Sequence, residues 1–157
     1  MGRAGGLPDA RLIPMQNSQN GVTLHHVGYV VQSIQNSAAS FAKSLALEWD
    51  GKIIHDPLQT VLVSFFKPIA PGNAVIELVE PVGTESKVYP FLERGGGLHH
   101  LCYEVDSLDR QLIWTKENHD TIVRRPQPAV AFEGRRIAWV FTKMRLLVEY
   151  LERHSPA

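Results

Sequence analysis

The 157-residue chain has a single cysteine, no excess of charge of either sign and no long apolar run. One cysteine, Cys102, excludes an internal disulfide and a zinc cluster built from cysteines, which agrees with a reducing compartment. Because 16 basic and 16 acidic residues balance, we expect neither nucleic acid nor anionic lipid as a partner. The longest apolar runs, such as Val61 to Phe66, are far shorter than the roughly 20 residues of a membrane-spanning helix. Since the start also lacks a signal-peptide pattern, we expect a cytoplasmic protein.

The composition is that of a folded domain. With 44% hydrophobic and 20% charged residues, the chain can bury a real core, and its length fits one domain. Residues 1–21 show no sustained periodicity, which predicts a flexible leader. We expect a single domain over residues 22–154.

An internal repeat is the main structural signal. The segments Leu24–Ile34 and Leu98–Leu108 are identical at six of eleven positions, and each contains a His-His pair; the offset is 74 residues (100 − 26). Near the end of each copy, Glu77-Leu-Val-Glu80 lies over Glu149-Tyr-Leu-Glu152 with an offset of 72 (149 − 77). We place the two repeats at residues 22–82 and 97–152.

Each repeat predicts a strand, a helix and three further strands, because β-branched and aromatic runs alternate with turn residues and with helix-capping serines. The predicted helices begin at Ser33 or Asn36 and at Asp106 or Ser107; the second should turn Leu108, Leu112 and Ile113 inward. The predicted strands are Leu24–Val31, Gly51–Ile54, Thr60–Phe66, Ala74–Val79, Leu98–Val105, Thr121–Arg124, Arg135–Phe141 and Leu146–Leu151. This order predicts an α+β fold in which two βαβββ modules form an eight-stranded, partly open, barrel-like sheet.

Residues with metal-ligand chemistry occupy equivalent places in the two repeats. A pseudo-two-fold axis between the modules would bring together two histidines and two glutamates, which suit Zn, Mn, Co, Ni or Fe(II). A lone His-His pair or a lone strand glutamate is usually structural, but a duplication that keeps both types in both copies favours a shared site. The candidate ligands are His26, Glu77, His100 and Glu149.

Strand parity separates the members of each histidine pair. His25 shares a large apolar face with Tyr29, and His99 shares one with Tyr103, so these two histidines are expected to have supporting roles. The opposite faces, which carry His26 and His100, are more polar and should line a cleft. Four arginines flank the loop Pro126–Gly134 and either bind an anionic group of a substrate or form a solvated rim: Arg124, Arg125, Arg135 and Arg136. The three tryptophans are assigned to packing: Trp49, Trp114 and Trp139.

The repeat resembles the vicinal oxygen chelate superfamily, which includes glyoxalases, bleomycin-resistance proteins and dioxygenases, and within it the methylmalonyl-CoA epimerase-like branch. The segments that carry the resemblance are Leu24–Val31, Ile76–Pro81, Phe91–Val105 and Val148-Glu149. It implies a glyoxalase-like fold over most of the chain and a divalent metal ion (Co, Zn, Mn, Ni and Mg are not distinguished) held by His26, Glu77, His100 and Glu149.

The resemblance also implies an epimerase or isomerase that acts on an acyl-CoA-like or other enolisable acid through a metal-stabilised enolate, with Glu149 as a catalytic acid/base. A second carboxylate is expected on the strand Thr60–Phe66, but Val63 lies near its place, and Gln59 and Ser64 are the nearest polar residues. A metal-free small-molecule binding protein, or a lyase or dioxygenase on the same fold, remain alternatives. The expected partners are a small-molecule substrate and a second copy of the chain in a homodimer.

Overall fold

A computed structural model describes residues 21–72 and 74–154. The predicted leader therefore lies almost entirely outside the described residues. The helices are α1 (Ile34–Leu45), α2 (Tyr89–Glu93) and α3 (Leu108–Glu117), with a 3-10 turn at Val130–Phe132. The strands are β1 (Thr23–Val30), β2 (Leu47–Trp49), β3 (Ile54–Asp56), β4 (Val61–Pro68), β5 (Val75–Pro81), β6 (Gly97–Val105), β7 (Thr121–Pro128), β8 (Arg136–Phe141) and β9 (Leu147–Glu152).

The predicted strand Gly51–Ile54 is wrong in detail, because two short strands, β2 and β3, flank a turn there and both pair with β4. Gly51 has a φ of 78°, and the Asp50 carboxylate accepts a hydrogen bond from the Lys52 amide at 2.9 Å. The Ser64 hydroxyl of β4 donates to the Lys52 carbonyl at 2.7 Å and fixes this turn against the sheet. The described residues therefore form nine strands rather than eight.

The nine strands form one mixed sheet that is not closed, which confirms the predicted α+β architecture of two βαβββ modules. Its hydrogen-bonded order is β2-β4-β5-β1-β6-β9-β8-β7, with β3 paired to β4. The first strands of the two repeats, β1 and β6, are antiparallel neighbours at the centre. Each has the last strand of its own repeat as its parallel neighbour, β5 beside β1 and β9 beside β6. The two repeats are thus arranged symmetrically about the β1–β6 pair.

A serine cap and a glutamate fix the start of each long helix. The Ser33 and Ser107 hydroxyls accept amide hydrogen bonds from the first turns of α1 and α3. The first helical amide of α1 donates to the Glu80 carboxylate at 2.7 Å, and that of α3 donates to Glu152 at 3.0 Å. Both glutamates lie at the ends of the parallel strands β5 and β9, so each helix is tied to the strand that also carries a candidate ligand.

The two long helices, α1 and α3, pack on the outer face of the sheet, and the candidate ligands point inward. The short helix α2 packs on the inner side, where Phe91 and Leu92 contact the valine cluster of β1, β4 and β5. Ile34 and Ala38 of α1 pack against Phe66 and Leu78, and Tyr29 of β1 joins them from the helix-facing side of its strand. On α3 the prediction for Leu108 and Leu112 is confirmed, whereas Ile113 is 59% exposed. No helix among the described residues is long and apolar enough to cross a membrane.

Candidate metal centre

The structure brings the four predicted ligand residues together inside the barrel. His26 and His100 lie on the central strands β1 and β6, while Glu77 and Glu149 lie on the flanking strands β5 and β9. Strand register explains the meeting, because Gly28 is the partner of both His100 and Glu77, and Cys102 is the partner of both His26 and Glu149. All four side chains are buried, with exposures of 0% for His26, 5% for Glu77 and 2% for His100 and Glu149.

The donor atoms of these residues face one another at coordination spacing. The His26 Nε2 and His100 Nε2 atoms are 3.2 Å apart, and Glu77 Oε2 lies 3.3 Å from each of them. Glu149 Oε2 lies 3.4 Å from His26 Nε2 and 3.9 Å from His100 Nε2. Four donors about 2.1 Å from one cation would be separated by about 3.0 Å at right angles and about 3.4 Å in a tetrahedron. Two imidazoles and two carboxylates at these distances fit a divalent cation.

Each candidate ligand histidine also contacts the histidine that precedes it in sequence. The Nδ1 atoms of His25 and His26 are 2.8 Å apart, and those of His99 and His100 are 3.0 Å apart. Burial, and then the neighbouring histidine, lower the pKa of His25, and the same two causes lower the pKa of His99 to about 4. Both preceding histidines are therefore neutral near pH 7.

The two buried carboxyl groups differ in their electrostatics. Burial alone would raise the pKa of Glu77, but the His26 and His100 rings outweigh it and hold that pKa below its usual range. At Glu149 burial dominates, so its pKa is raised although both histidines oppose the shift. The pKa of His26 is raised, because Glu77 and Glu149 outweigh the effect of its burial. Glu149 is thus the carboxyl of the pair that holds a proton more readily.

Cys102 lies beneath the centre and forms a hydrogen bond with Glu149. Ligand atoms of His25, His26 and Cys102 also lie within 4.8 Å of one another, as do those of His26, His100 and Glu149. Burial, with nearby Glu149, raises the pKa of the Cys102 thiol well above its usual value. Because the thiolate is the metal-binding form, Cys102 is better suited to orient the Glu149 carboxylate than to bind a cation.

Two residues that shape the centre were not anticipated from the sequence as site residues. A Cβ atom at Gly28 would lie 2.0 Å from Cε1 of the His100 ring, so only glycine leaves room for that ring. Trp139, predicted to serve only in packing, lines the cavity and meets the His100 ring edge-on at 4.7 Å. Its register partner on β9 is Glu149, which places it on the site-facing side of β8.

A cavity of about 320 Å³ leads from the surface to this centre, and Glu77, His100 and Glu149 lie in its lining. The wall contributed by β4 consists of Val61 and Val63, so the strand without an acid forms an apolar surface beside the centre. Gln59 lies farther along the lining, and its side-chain amide donates to Asp56 at 3.3 Å. Ser64 points away from the site, where it accepts a hydrogen bond from the Trp49 indole.

A second cavity of about 560 Å³ adjoins the first, because Lys87, His99, His100 and Leu147 line both. We call it the basic groove: its lining contains three cations and no carboxylate, together with apolar side chains of β6 and of the β8–β9 hairpin. The three cations are Lys87, Arg94 and Arg145.

The four arginines near the loop Pro126–Gly134 divide into two groups. Arg135 forms an ion pair with Glu104, and Arg136 pairs with Asp109 and Glu152, so both have structural partners. Arg125 is exposed, whereas Arg124 lines the cavity and donates to the Leu58 carbonyl at 3.2 Å. Arg124 is therefore the one member of this set that lies beside the candidate site.

Both the fold and the sequence identify the class of this protein. Residues 25–139 match the family model of the Glyoxalase/Bleomycin resistance protein/Dioxygenase superfamily, and the chain belongs to that superfamily.

Among the relatives, the ethylmalonyl-CoA/methylmalonyl-CoA epimerase of Cereibacter sphaeroides is 30% identical over 76% of this chain and 88% of its own length. The uncharacterized protein YqjC of Bacillus subtilis is 31% identical over 74% of this chain and 81% of its own. A hypothetical protein from Bacillus halodurans shares the fold with a TM-score of 0.74 and 29% identity, over 87% of this chain and 98% of its own. Methylmalonyl-CoA epimerase from Mycobacterium tuberculosis shares the fold with a TM-score of 0.72 and 23% identity, over 84% and 88% of the two chains.

Proposed function

We propose that this protein is a metal-dependent enzyme of the epimerase or isomerase type that moves the α-proton of an acyl-CoA-like thioester. The observation that carries the proposal is the convergence of two histidines and two glutamates at the inner end of an otherwise largely apolar cavity. The relationship to a curated ethylmalonyl-CoA/methylmalonyl-CoA epimerase supports the same reaction type. A divalent cation held by these four residues would polarise a substrate carbonyl and so make its α-proton more acidic.

Glu149 is the proposed acid/base. Its Oε2 atom faces the two histidines, and the residue also lines the cavity, so one carboxylate reaches both the centre and a bound substrate. Burial raises its pKa toward the range in which a carboxyl group both accepts and returns a proton. The hydrogen bond with Cys102 holds the carboxylate in place. The apolar walls formed by Val61 and Val63 exclude water from the reacting carbon.

The basic groove supports a substrate with an anionic tail. An acyl group in the smaller cavity would leave its carrier to run into the groove, where Lys87, Arg94 and Arg145 face the phosphates of a coenzyme A-like group. The apolar side chains between them suit the uncharged arm that joins the thioester to the nucleotide. We therefore propose an acyl-CoA ester in preference to a small free acid.

Exchange of the substrate α-proton with solvent tests the proposal directly. Purified protein, loaded with Co²⁺, Zn²⁺, Mn²⁺, Ni²⁺ or Mg²⁺ in turn, is incubated with methylmalonyl-CoA or ethylmalonyl-CoA in D₂O, and the α-proton signal is followed by NMR. Glu149→Gln should slow exchange by about 10²- to 10⁴-fold, the usual contribution of a positioned acid/base. Glu48→Gln, a change to an exposed carboxylate on β2, is the matched control and should leave exchange unchanged. Full exchange in the Glu149 variant would remove this residue from the mechanism.

The apolar β4 wall favours a second candidate, in which the proton moves on one face of the substrate only. Inversion at a carbon is served best by an acid/base on each side, but Val61 and Val63 offer none on theirs. A one-sided enzyme, such as a lyase or an isomerase on this fold, would exchange the α-proton with retained configuration. Chiral analysis of the deuterated product separates this case from epimerisation, and saturable binding without any exchange would instead indicate a small-molecule binding protein.

Two properties of the assembled protein are part of the proposal. The sheet ends in edge strands, β2 and β3 on one side and β7 on the other, which supports self-association into a homodimer. Light scattering coupled to size-exclusion chromatography tests this, with a mass near twice 17.6 kDa as the expected result. We also retain the cytoplasm as the proposed location, which cell fractionation would check.

A further inference from the structure

We propose that His25 and His99 are positioning residues, each of which holds the adjacent histidine in the tautomer and ring orientation that direct its Nε2 atom to the metal centre. The inference rests on the proposed metal centre. It assigns a specific role to two residues that the sequence predicts only as supporting. Neither residue places a donor atom within the group formed by the four candidate ligands.

The geometry of the two pairs is the same and is not a consequence of sequence adjacency. Consecutive residues on a regular strand point to opposite faces of a sheet, but the β1–β6 ladder shifts register at both pairs, and His25 and His99 are the extra residues there. These irregularities accompany close approaches of the Nδ1 atoms, which are 2.8 Å apart in the His25–His26 pair and 3.0 Å apart in the His99–His100 pair. The rings meet edge-on in both, at interplanar angles of 77° and 87°. Two repeats that have diverged elsewhere therefore share one arrangement at their His-His pairs.

A hydrogen bond between two Nδ1 atoms has one proton and one lone pair, which fixes the chemistry of both rings. A cation at the centre requires the lone pair of Nε2 on His26 and on His100, so the proton of each of these rings lies on Nδ1. Nδ1–H of His26 and of His100 then donates a hydrogen bond to the Nδ1 lone pair of His25 and of His99, respectively. Polar partners of this kind orient ligand histidines in metal sites generally.

Without its partner, each ligand histidine has a competing arrangement close at hand. Glu77 Oε2 lies 3.3 Å from both Nε2 atoms and would accept a proton from either of them. A proton on Nε2 occupies the lone pair that the cation needs. The bond to His25 or His99 thus favours the binding-competent tautomer over a histidine–glutamate hydrogen bond that closes the site.

Aromatic rings hold the two positioning residues in turn. His25 packs edge-on against Phe132, with ring centroids 5.5 Å apart. His99 packs against Phe91 at 4.8 Å and more loosely against Trp139 at 6.3 Å. These contacts fix the rings without competing for Nδ1, so the Nδ1 lone pairs remain available to the ligand histidines.

The experiment measures metal affinity, not catalysis. Co²⁺ is titrated into metal-free protein in competition with a chelator of known affinity, and the visible absorption of bound Co²⁺ reports the coordination. His25→Leu and His99→Leu should each weaken binding by about 10- to 100-fold, the typical cost of losing such a partner. Because the two changes act on one centre and share Glu77 as the competing acceptor, the double variant should lose more affinity than either single variant, without strict additivity of the two effects.

Asparagine and glutamine provide the matched comparison. The Asn amide oxygen is attached at the same place along the side chain as Nδ1 of histidine, whereas the Gln oxygen lies one methylene farther out. His25→Asn and His99→Asn should therefore recover most of the affinity, and the Gln variants should not. His55→Leu, a change to an exposed histidine on β3, should leave affinity unchanged.

The outcomes separate this inference from the proposed function. Affinity equal to that of the unchanged protein in both Leu variants, or equal loss in the Asn and Gln variants, would overturn the positioning role. A purely structural role would lower the melting temperature of the metal-free protein and leave Co²⁺ affinity and absorption unaltered. Should the Leu variants fail to fold, the Asn–Gln comparison decides. Failure of the unchanged protein to bind any of the five cations would instead overturn the proposed metal centre.

Discussion

Replacing Gly28 by alanine should remove His100 from the metal centre while leaving the fold in place. The added Cβ would lie 2.0 Å from Cε1 and 2.3 Å from Nδ1 of the His100 ring. Carbon atoms in contact are separated by about 3.5 Å, so the ring must retreat by about 1.5 Å. A shift of that size is comparable with the whole length of a metal–nitrogen bond, about 2.1 Å. It would also break the 3.0 Å contact with His99.

The expected size of the effect differs between metal binding and folding. We expect Gly28→Ala to weaken Co²⁺ binding by about 100-fold or more, since it displaces a ligand and not only the partner of one. Crowding costs about 1–3 kcal/mol of folding free energy, and the better strand propensity of alanine offsets about 0.5–1 kcal/mol of it. At about 2–4 °C per kcal/mol, the melting temperature of the metal-free protein should fall by only a few degrees.

Chelator competition and thermal unfolding, run on the same samples, measure both effects. Gly51→Ala is the matched control, because Gly51 has a φ of 78° and a Cβ atom added there would meet nothing within 4 Å. That variant should lose stability through backbone strain and keep its metal affinity. A Gly28→Ala protein that binds Co²⁺ as tightly as the unchanged chain would refute the close-packing argument.

Two other predictions concern the surface. Hydrogen bonds from Arg136 and from the Leu108 amide outweigh burial and hold the pKa of Glu152 below its usual value. The ionised Glu152 carboxylate therefore stabilises the fold above about pH 4.3, the ordinary pKa of glutamate. This stabilisation is lost as the pH falls through the lowered pKa of the folded state. Glu152→Gln should therefore lower the urea midpoint of unfolding at pH 7, and that midpoint should fall less between pH 5 and pH 3 than it does in the unchanged protein. Glu48→Gln is the control. An equal fall of the midpoint in the Glu152 variant and the unchanged protein would count against this account. In the basic groove, Lys87→Gln combined with Arg145→Gln should raise KM for an acyl-CoA by about 5- to 30-fold, because each exposed cation contributes up to about 1 kcal/mol. KM for the matching N-acetylcysteamine thioester, which lacks the nucleotide, should stay unchanged. Equal effects on the two thioesters would show that the groove does not bind the nucleotide end.

The duplication explains why so much of the fold was predictable. Local residue patterns predicted the element order, and matching letters at two offsets showed which strands of the two repeats are equivalent. A pseudo-two-fold axis between the repeats then predicted that the four candidate ligands meet. Gly28 was missed because the ring it accommodates belongs to the other repeat, 72 residues along the chain (100 − 28). Trp139 was assigned to packing alone, because its place in the cavity depends on the strand register that pairs it with Glu149, and this register is not evident from the sequence.

Other details depended on contacts that local periodicity does not encode. Ile113 was predicted to point inward, but the buried face of α3 includes Gln111 and Thr115, whose polar character hides the true period. The Thr115 hydroxyl is satisfied by the Gln111 carbonyl at 3.0 Å, which lets a polar side chain occupy that face. Likewise, the turn between β2 and β3 depends on a hydroxyl from β4, twelve residues downstream of the carbonyl that accepts its hydrogen bond.

The glutamates that anchor the helices, Glu80 and Glu152, also depend on the correct register of their strands. On β5, Glu77 and Glu80 are three positions apart, so one points into the barrel and the other toward the helix layer; Glu149 and Glu152 repeat this on β9. A slip of either strand by one residue would turn both of its carboxylates to the wrong side at once. A misaligned strand would thus lose both its bond to the helix and its metal ligand, so a helix that is docked correctly indicates that the ligand on its strand also faces the barrel interior. An engineered exchange of the two modules should therefore keep this three-residue spacing intact.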